Sequence, residues 1–350
     1  MLSTIATHQV MPPRLPVPRG PLSAAVLDTL GGRTTAAATN IGTRTVEWAD
    51  PYGEDLQLAL YCCYELHYRG FAGVVDDWEW DPGLLALRRQ LENIFLTALR
   101  ADAPGGSDVT AAIDALLVER VDAEGVSHYL RRAGKRWQLR EYLVHRSLYH
   151  LKEADPQAWV IPRLAGPAKA AFVTVEHDEY GSGHPDRMHA RLFATMMTEL
   201  GLCADYGVYL DAVPAQTLAE VNFMSLCGLH RRLRGVLIGQ FATVELTSSP
   251  RSARLVRAMH RLRCSPAAIE FYAEHIEADA VHEQLVRHGV IAPLLVAEPQ
   301  LAADVVFGIQ ASTLLADRLS DLLLEGWTHN RSTLRHPLPD APASIPAHRQ

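Results

Sequence analysis

The chain has 350 residues, of which 48% are hydrophobic and 21% charged, so it can bury a large core as one large or two ordinary domains. Its net charge of -7, and the lack of a basic cluster beyond residues 230–234, argue against nucleic acid as a partner. No segment supplies the roughly 18 charge-poor apolar residues of a membrane span, and the N-terminal run lacks the apolar core of a signal peptide. We therefore expect a globular cytoplasmic protein without a membrane partner.

Proline is concentrated at the two ends of the chain. Residues 1–21 contain five prolines, and residues 331–350 form a second proline-rich stretch. Such segments bury too little apolar surface to offset the entropy lost on ordering. We predict a disordered leader over residues 1–21 and a disordered tail over residues 331–350.

Between these ends, nearly every segment repeats its hydrophobic residues with the helical period of about 3.6, and strand-like alternation is scarce. Breakers separate the segments, among them a Pro-Gly-Gly run at 104–106 and a Ser-Pro pair at 249–250. The pattern predicts an all-α protein. We expect an N-terminal helical subdomain over residues 22–133 and a C-terminal helical domain over residues 136–328. The predicted helices, in chain order, are 55–69, 83–101, 108–120, 136–154, 167–180, 187–200, 214–227, 230–247, 251–263, 266–289 and 301–326.

The cysteines show no sign of a disulfide framework or a zinc site. They are odd in number, form no Cys-x-x-Cys motif and lie in apolar helical contexts, which is typical of reduced core residues. The five are Cys62, Cys63, Cys203, Cys227 and Cys264.

Acidic residues interrupt the apolar faces of two predicted helices. Glu179 continues the stripe of Phe172 and Val175, and Glu176 lies one turn earlier on the same side. Glu153 follows His150 on the preceding helix. A carboxylate on a buried face needs a cation or hydrogen-bond donors. Glu179 is the first candidate metal ligand. Glu176 and Glu153 are candidates for additional ligands or for neighbours of the ligands, with a structural hydrogen bond as the alternative.

Two further polar residues lie on apolar stripes. His189 leads a stripe that includes Phe193, and glycines between Glu179 and His189 allow the two side chains to approach one point. Glu245 shares a face with Phe241 and is the first charge after Arg234. Both are candidate ligands. The alternatives are a hydrogen-bonded core histidine, and an acid that reaches water or an arginine.

The strongest pattern is His275, Asp279 and His282, a His-x3-Asp-x2-His spacing within one predicted helix. At about 100° per residue, the three side chains stack on one side over two turns. The same stripe continues with Ala268 and Phe271, so it faces the interior. A carboxylate between two imidazoles in an apolar layer indicates a divalent cation, whereas a solvated polar face is the alternative.

Together the candidates form a set of three imidazoles and three carboxylates on four helices. This mixture suits two iron ions, or manganese, with bridging carboxylates and open positions for dioxygen. A structural zinc fits poorly because it favours cysteine and closes at four ligands. The candidate ligands are Glu179, His189, Glu245, His275, Asp279 and His282.

The ordered series of ligands resembles that of a known group of helical proteins. Ferritin-type diiron bundles need two Glu-x-x-His motifs, which this sequence lacks. The chain instead resembles the haem-oxygenase-like diiron oxidases, and within them the iron-containing redox enzyme family, over residues 136–327. One departure is the ten-residue step from Glu179 to His189. The supporting stretches are YHLKEADPQAW, DEYGSGHPDRMHARLFATMM, GLHRRLRGVLIGQFATVELTSS and FYAEHIEADAVHE.

This resemblance implies a haem-oxygenase-like helical bundle that carries the additional N-terminal subdomain. It also implies an O2-dependent, non-haem diiron oxidoreductase with two Fe(II)/Fe(III) ions as cofactor. Its expected partners are dioxygen, an electron donor and a small amino- or fatty-acid-like substrate, which undergoes N-oxygenation, desaturation or C–C cleavage. A homodimer is compatible with the sequence. The alternatives are a haem-binding or haem-degrading helical protein, and a metal-free helical binding or assembly protein.

Overall fold

The computed structural model describes residues 11–32, 46–119 and 124–341, apart from the side chains of residues 279 and 280. The described residues form helices joined by short connections and contain no β-strand, so the predicted all-α class is confirmed. Their buried apolar side chains join into one continuous hydrophobic core.

The N-terminal part of the chain contributes short and medium helices to this core. Short 3-10 turns follow α2 and α7, at Asp76–Trp80 and Ile161–Arg163. The helices are α1 (Pro21–Leu30), α2 (Glu54–Glu65), α3 (Pro82–Asp102), α4 (Val109–Leu117), α5 (Val126–Arg132), α6 (Arg136–His150) and α7 (Asp155–Ala158).

The C-terminal part contains the longest helices. A π-helical segment, Leu285–Ile291, extends α12 directly, and 3-10 turns precede α11 and α14. Within the described ranges no single helix is long and apolar enough to cross a membrane. The two helical stretches 266–297 and 299–328, which are bent against each other, reach the required length and hydropathy only when they are taken together. The helices are α8 (Gly166–Glu179), α9 (His189–Glu199), α10 (Ala215–Leu229), α11 (Arg234–Arg261), α12 (Pro266–Gln284), α13 (Ala292–Ala297) and α14 (Ala302–Thr328).

Helix α11 lies at the centre of the fold, packed along α12 and α14. The predicted break at the Ser-Pro pair is wrong, because α11 continues through Pro250. A proline removes one backbone donor from a helix, and packing on both flanks offsets that loss here. Ser249 adds a link to α12, since its hydroxyl donates to the carbonyl oxygen of Ile276 at 3.1 Å.

The prediction of a disordered leader is wrong for residues 11–20. The amide of Ala72 donates to the carbonyl of Pro13 at 2.8 Å, and the amide of Val17 donates to Asp211 at 2.9 Å. Pro13 and Pro16 are buried. Prolines that are already restricted in the unfolded chain lose little entropy on docking, so an extended segment can pack on the bundle. Residues 1–10 lie outside the described residues.

The prediction of a disordered tail is likewise wrong for residues 331–341. Buried Glu141 on α6 accepts hydrogen bonds from the Thr333 amide at 2.8 Å and from the Ser332 hydroxyl. His145, one turn later, contacts the Thr333 hydroxyl at 3.0 Å. Two buried polar groups therefore hold the tail, and composition alone carried no sign of them. Residues 342–350 lie outside the described residues.

The predicted division into two subdomains stays a prediction. Helix α2 packs on α10, and α5 packs on α11 and α14, so the N-terminal helices contribute to the same core as the C-terminal ones. The cysteines form no disulfide in the described chain; three are buried, Cys264 is half-buried and Cys203 is exposed.

Candidate metal centre

A cavity of about 50 Å³ lies where α6, α8, α11 and α12 meet. Its wall combines apolar and aromatic side chains with a concentration of buried acid groups. The carboxylates in the wall are Glu153, Glu176, Glu179 and Glu245.

Four side chains converge at one end of this site. Glu153, Glu179, His189 and His275 each offer a ligand atom, these atoms lie within 4.8 Å of one another, and all four side chains are buried. His189 Nδ1 lies 2.7 Å from Glu179 Oε2, and the imidazole centroids of His189 and His275 are 4.3 Å apart. The first group can therefore hold one cation with two imidazoles and two carboxylates.

A second group lies next to the first. Glu179, Glu245 and His282 also offer buried ligand atoms within 4.8 Å of one another. His282 Nδ1 lies 3.1 Å from Glu245 Oε2 and 3.8 Å from Glu179 Oε1. Glu179 thus presents Oε2 to the first group and Oε1 to the second. One carboxylate therefore belongs to both groups.

The chain reversal between α8 and α9 brings His189 onto Glu179. Gly181 in this reversal has a φ of 78°, a conformation that favours glycine. A Cβ at Gly181 would lie 2.6 Å from the amide nitrogen of Met188 and closer still to the carbonyl oxygen of His184. Only glycine fits at this point of the chain reversal. The reversal brings Glu179 and His189, ten residues apart in the chain, into contact.

Helix α12 presents His275 and His282 on one face. The helix begins with Ser265 as its N-cap, whose side chain accepts from the Ala268 amide. His275 Nδ1 lies 2.7 Å from the carbonyl oxygen of Phe271, which only accepts, so Nδ1 donates this hydrogen bond and Nε2 is the nitrogen left for other contacts. Asp279 lies between the two histidines on α12, and its side chain is outside the described part of the structure.

Two groups outside the predicted set orient the candidate ligands. His150 Nδ1 lies 2.6 Å from Glu153 Oε1. Asp178 Oδ2 lies 3.3 Å from His282 Nε2, on the side of the ring away from Glu245. Such partners set the orientation and basicity of metal ligands. The His150-x2-Glu153 spacing could have indicated in the sequence that these two side chains meet. Nothing in the sequence indicated the contact of half-exposed Asp178 with His282.

Two carboxyl groups in the wall of the cavity have pKa values shifted in opposite directions. Burial acts to raise the pKa of Glu153, but the imidazoles of His150, His275 and His189 outweigh it and hold that pKa at about 2. Burial, followed by the charges of Glu179 and Glu245, raises the pKa of Glu176 to about 9.

Hydrogen bonding in the wall is also incomplete. Glu153 Oε2 and both carboxyl oxygens of Glu176 are buried without a hydrogen-bond partner among the described residues. Buried oxygens of this kind are costly unless a proton donor or a metal satisfies them. The residues present therefore fit a divalent cation site.

The structure brings together five of the six predicted ligands, Asp279 being outside the described side chains. Glu153, predicted as an additional ligand, joins the first group, whereas Glu176 lines the cavity outside both groups. Metal binding by these residues stays a prediction. The residues brought together are Glu179, His189, Glu245, His275 and His282.

Comparison with known proteins identifies the family. The family model described as iron-containing redox enzyme matches residues 140–317, just over half of the chain. The chain belongs to the iron-containing redox enzyme family, as the sequence resemblance predicted. A nitrosourea synthase from Streptomyces achromogenes subsp. streptozoticus is 24% identical over 217 residues, which are 62% of this chain and 43% of that enzyme. The match therefore spans less than half the length of this relative.

Proposed function

We propose that this protein is an O2-dependent non-haem diiron oxidase or oxygenase that acts on a small organic substrate. Glu153, Glu179, His189 and His275 would hold one iron ion, and Glu179, Glu245 and His282 the other, with Asp279 as a further ligand on α12. When bound, two Fe(II) ions supply two electrons to dioxygen. Turnover then also requires an electron donor.

One observation carries the proposal, namely the two faces of Glu179. Oε2 meets His189 and Oε1 meets His282, so one carboxylate belongs to two buried ligand groups. A single-metal site has no need of such sharing. The donor set of imidazole and carboxylate, without cysteine, is also the set that iron and manganese accept.

The chain's own residues prepare the site for this chemistry. The Phe271 carbonyl and the Asp178 carboxylate hold the rings of His275 and His282. The aromatic rings of Phe193 and Phe271 pack 5.2 Å apart beside His150 and help to exclude water. A dry, rigid cavity keeps the reacting groups away from bulk solvent.

The size and the lining of the cavity argue against the alternative of a haem-binding protein. A volume of about 50 Å³ walled by four carboxylates does not suit a large apolar macrocycle. The metal-free alternative gives no physical reason for the buried Glu153 Oε2, which has no hydrogen-bond partner among the described residues and belongs to the first ligand group.

Iron content after anaerobic loading of the full chain with Fe(II) tests the proposal. We expect about two iron ions per wild-type chain by plasma emission analysis, and spin-coupled iron in the Mössbauer spectrum after exposure to oxygen. Glu179→Ala should lose the coupled pair, because it removes the shared ligand. Glu277→Ala is the matched control, since Glu277 is exposed on α12 between the two histidines.

Circular dichroism of each variant separates loss of metal from loss of the fold. Substoichiometric iron in a folded wild-type protein would contradict the proposal. So would two coupled iron ions in folded Glu179→Ala. An oxygen electrode adds a functional reading, because the reduced iron-loaded protein should consume about one dioxygen per iron pair.

A further inference from the structure

A second, larger chamber adjoins the metal cavity. It has a volume of about 270 Å³ and lies between α5, α6, α11 and α14. Tyr142, Arg146 and Arg251 line both spaces, so these three side chains form a wall that the two spaces share. The metal cavity is only about 50 Å³, so the body of an organic molecule fits the chamber rather than the cavity.

The three arginines of this chamber differ in their partners. Arg146 pairs with Glu220 at 2.7 Å, and Arg254 pairs with Glu119 at 2.9 Å. Half-buried Arg251 donates to the Thr247 hydroxyl at 3.3 Å. Its charge acts on Asp317 in the same chamber wall, but no carboxylate of the described chain lies within 4.0 Å of its guanidinium. A partly desolvated guanidinium gains from an anionic partner.

A buried tyrosine hydroxyl lies in the wall of the metal cavity next to Arg251. Tyr272 is 4% exposed and lines the metal cavity together with Arg251. Its hydroxyl makes no hydrogen bond within the described chain. A buried donor of this kind is stabilised by an acceptor that arrives with a ligand.

We propose that Arg251 and Tyr272 dock the carboxylate of a small organic acid at this shared wall, with the body of the acid in the outer chamber. The guanidinium and the hydroxyl supply charge-assisted and neutral hydrogen bonds to one carboxylate. This assignment rests on the proposed function, since it makes the docked acid the substrate of the metal centre. The carboxylate then lies between the metal cavity and the body of the acid, so the carbon atoms closest to the candidate ligands are those bonded next to the carboxylate.

Calorimetric titration with hexanoate and with hexylammonium tests this docking site. We expect saturable binding of hexanoate to the full-length wild type and much weaker binding of hexylammonium. Arg251→Gln should weaken hexanoate binding by about tenfold, the usual effect of losing one charge-assisted hydrogen bond. Tyr272→Phe should weaken it by a smaller factor. Arg257→Gln, an exposed arginine on the same helix, should leave it unchanged.

The titrations are run on both the anaerobically iron-loaded and the metal-free protein. Equal affinity of hexanoate for wild type and Arg251→Gln would overturn the proposal, because it would place the carboxylate elsewhere, for example on iron. Absence of saturable binding, or tighter binding of hexylammonium, would also overturn it. If the docking site fails while about two iron ions bind per chain, the proposed function stands. If iron fails to bind while hexanoate binding still depends on Arg251, the docking site stands and the proposed function is contradicted.

Discussion

At the residue scale, Asp178 is the group that most directly controls a candidate ligand from outside the metal cavity. Its carboxylate meets His282 Nε2, while Nδ1 of the same ring faces Glu245 and Glu179. A carboxylate on the far nitrogen orients the ring and raises its basicity. The position of His282 therefore depends on a residue that is not itself among the candidate ligands.

We expect Asp178→Ala to weaken iron binding by about 10- to 100-fold, the usual effect of losing such a partner. Asp178→Asn should reduce the affinity for iron by a smaller factor, because the amide oxygen still accepts a hydrogen bond. Competition titration of Fe(II) against a chelator measures both. Asp186→Asn serves as the control, because Asp186 is an exposed acid in the segment between α8 and α9. Equal affinity of wild type and Asp178→Ala would show that the contact has no role.

Also at the residue scale, Lys152, which directly precedes Glu153 in the chain, makes a buried ion pair with Glu65. Lys152 Nζ lies 2.9 Å from Glu65 Oε2 and 4.0 Å from the ring centroid of Tyr68. Tyr206 donates a second hydrogen bond to the same Glu65 oxygen at 2.8 Å. Glu65 is therefore a structural acid, and Lys152 points away from its neighbour Glu153.

Lys152→Met should lower the free energy of unfolding by about 3–5 kcal/mol, because Glu65 is left buried without its cation. The double variant Lys152→Met with Glu65→Leu should recover much of this loss. Urea denaturation at neutral pH measures both values. If the double variant is no more stable than the single one, the cost comes from packing and not from an unpaired charge.

At the element scale, the crossing of α11 over α14 sets the position of Glu245 and Arg251. The backbones touch at this crossing, because a Cβ on Gly239 would collide with the Val305 carbonyl oxygen. A Cβ on Gly308 would collide with the carbonyl oxygen of Val236 in the same way. Two helices can approach this closely only where both lack side chains.

Gly239→Ala should destabilise the protein by about 1–3 kcal/mol or more, since the added methyl group forces the two backbones apart. It should also lower iron affinity, because α11 carries Glu245. Thermal unfolding and Fe(II) titration measure the two effects. Gly125→Ala is the control; a Cβ there has its nearest neighbour, His128 Nδ1, at 3.7 Å. Similar melting temperatures for the two variants would contradict the close crossing.

At the scale of the whole molecule, the C-terminal tail closes the bundle through a buried histidine. His145 lies 2.7 Å from the Thr217 hydroxyl on α10 and 3.0 Å from the Thr333 hydroxyl in the tail. Thr333 donates its proton to Glu141 at 2.6 Å, so it accepts from His145 Nε2. The buried imidazole therefore links α6, α10 and the tail.

This arrangement predicts a loss of stability in acid. Burial, with a smaller contribution from Arg146, lowers the pKa of His145 to about 3, whereas an unfolded histidine titrates near about 6.5. Between these values the unfolded chain binds more protons, so the free energy of unfolding falls as the pH falls. Urea unfolding at stepped pH should show a shallower slope for His145→Gln than for the wild type. The exposed His260→Gln is the control, and identical slopes for all three would refute the assignment.

Part of this molecule follows from local patterns. The helical period predicted the all-α class, and the stripe of His275 and His282 lies on one buried face of α12 as expected. The same argument selected Glu179, His189 and Glu245 as inward-facing. These inferences held because the face of a helix depends on residues within a few turns.

The sequence by itself therefore determined the helices, their buried faces and the candidate donors. Only the tertiary structure decided that Glu153 reaches His275 while Glu176 stays outside both groups, because that choice depends on how α6, α8 and α12 are rotated against one another. It likewise decided that α11 continues through Pro250 and that buried Glu141 holds Ser332 and Thr333. Each of these outcomes depends on contacts between residues far apart in the chain, which no local pattern contains.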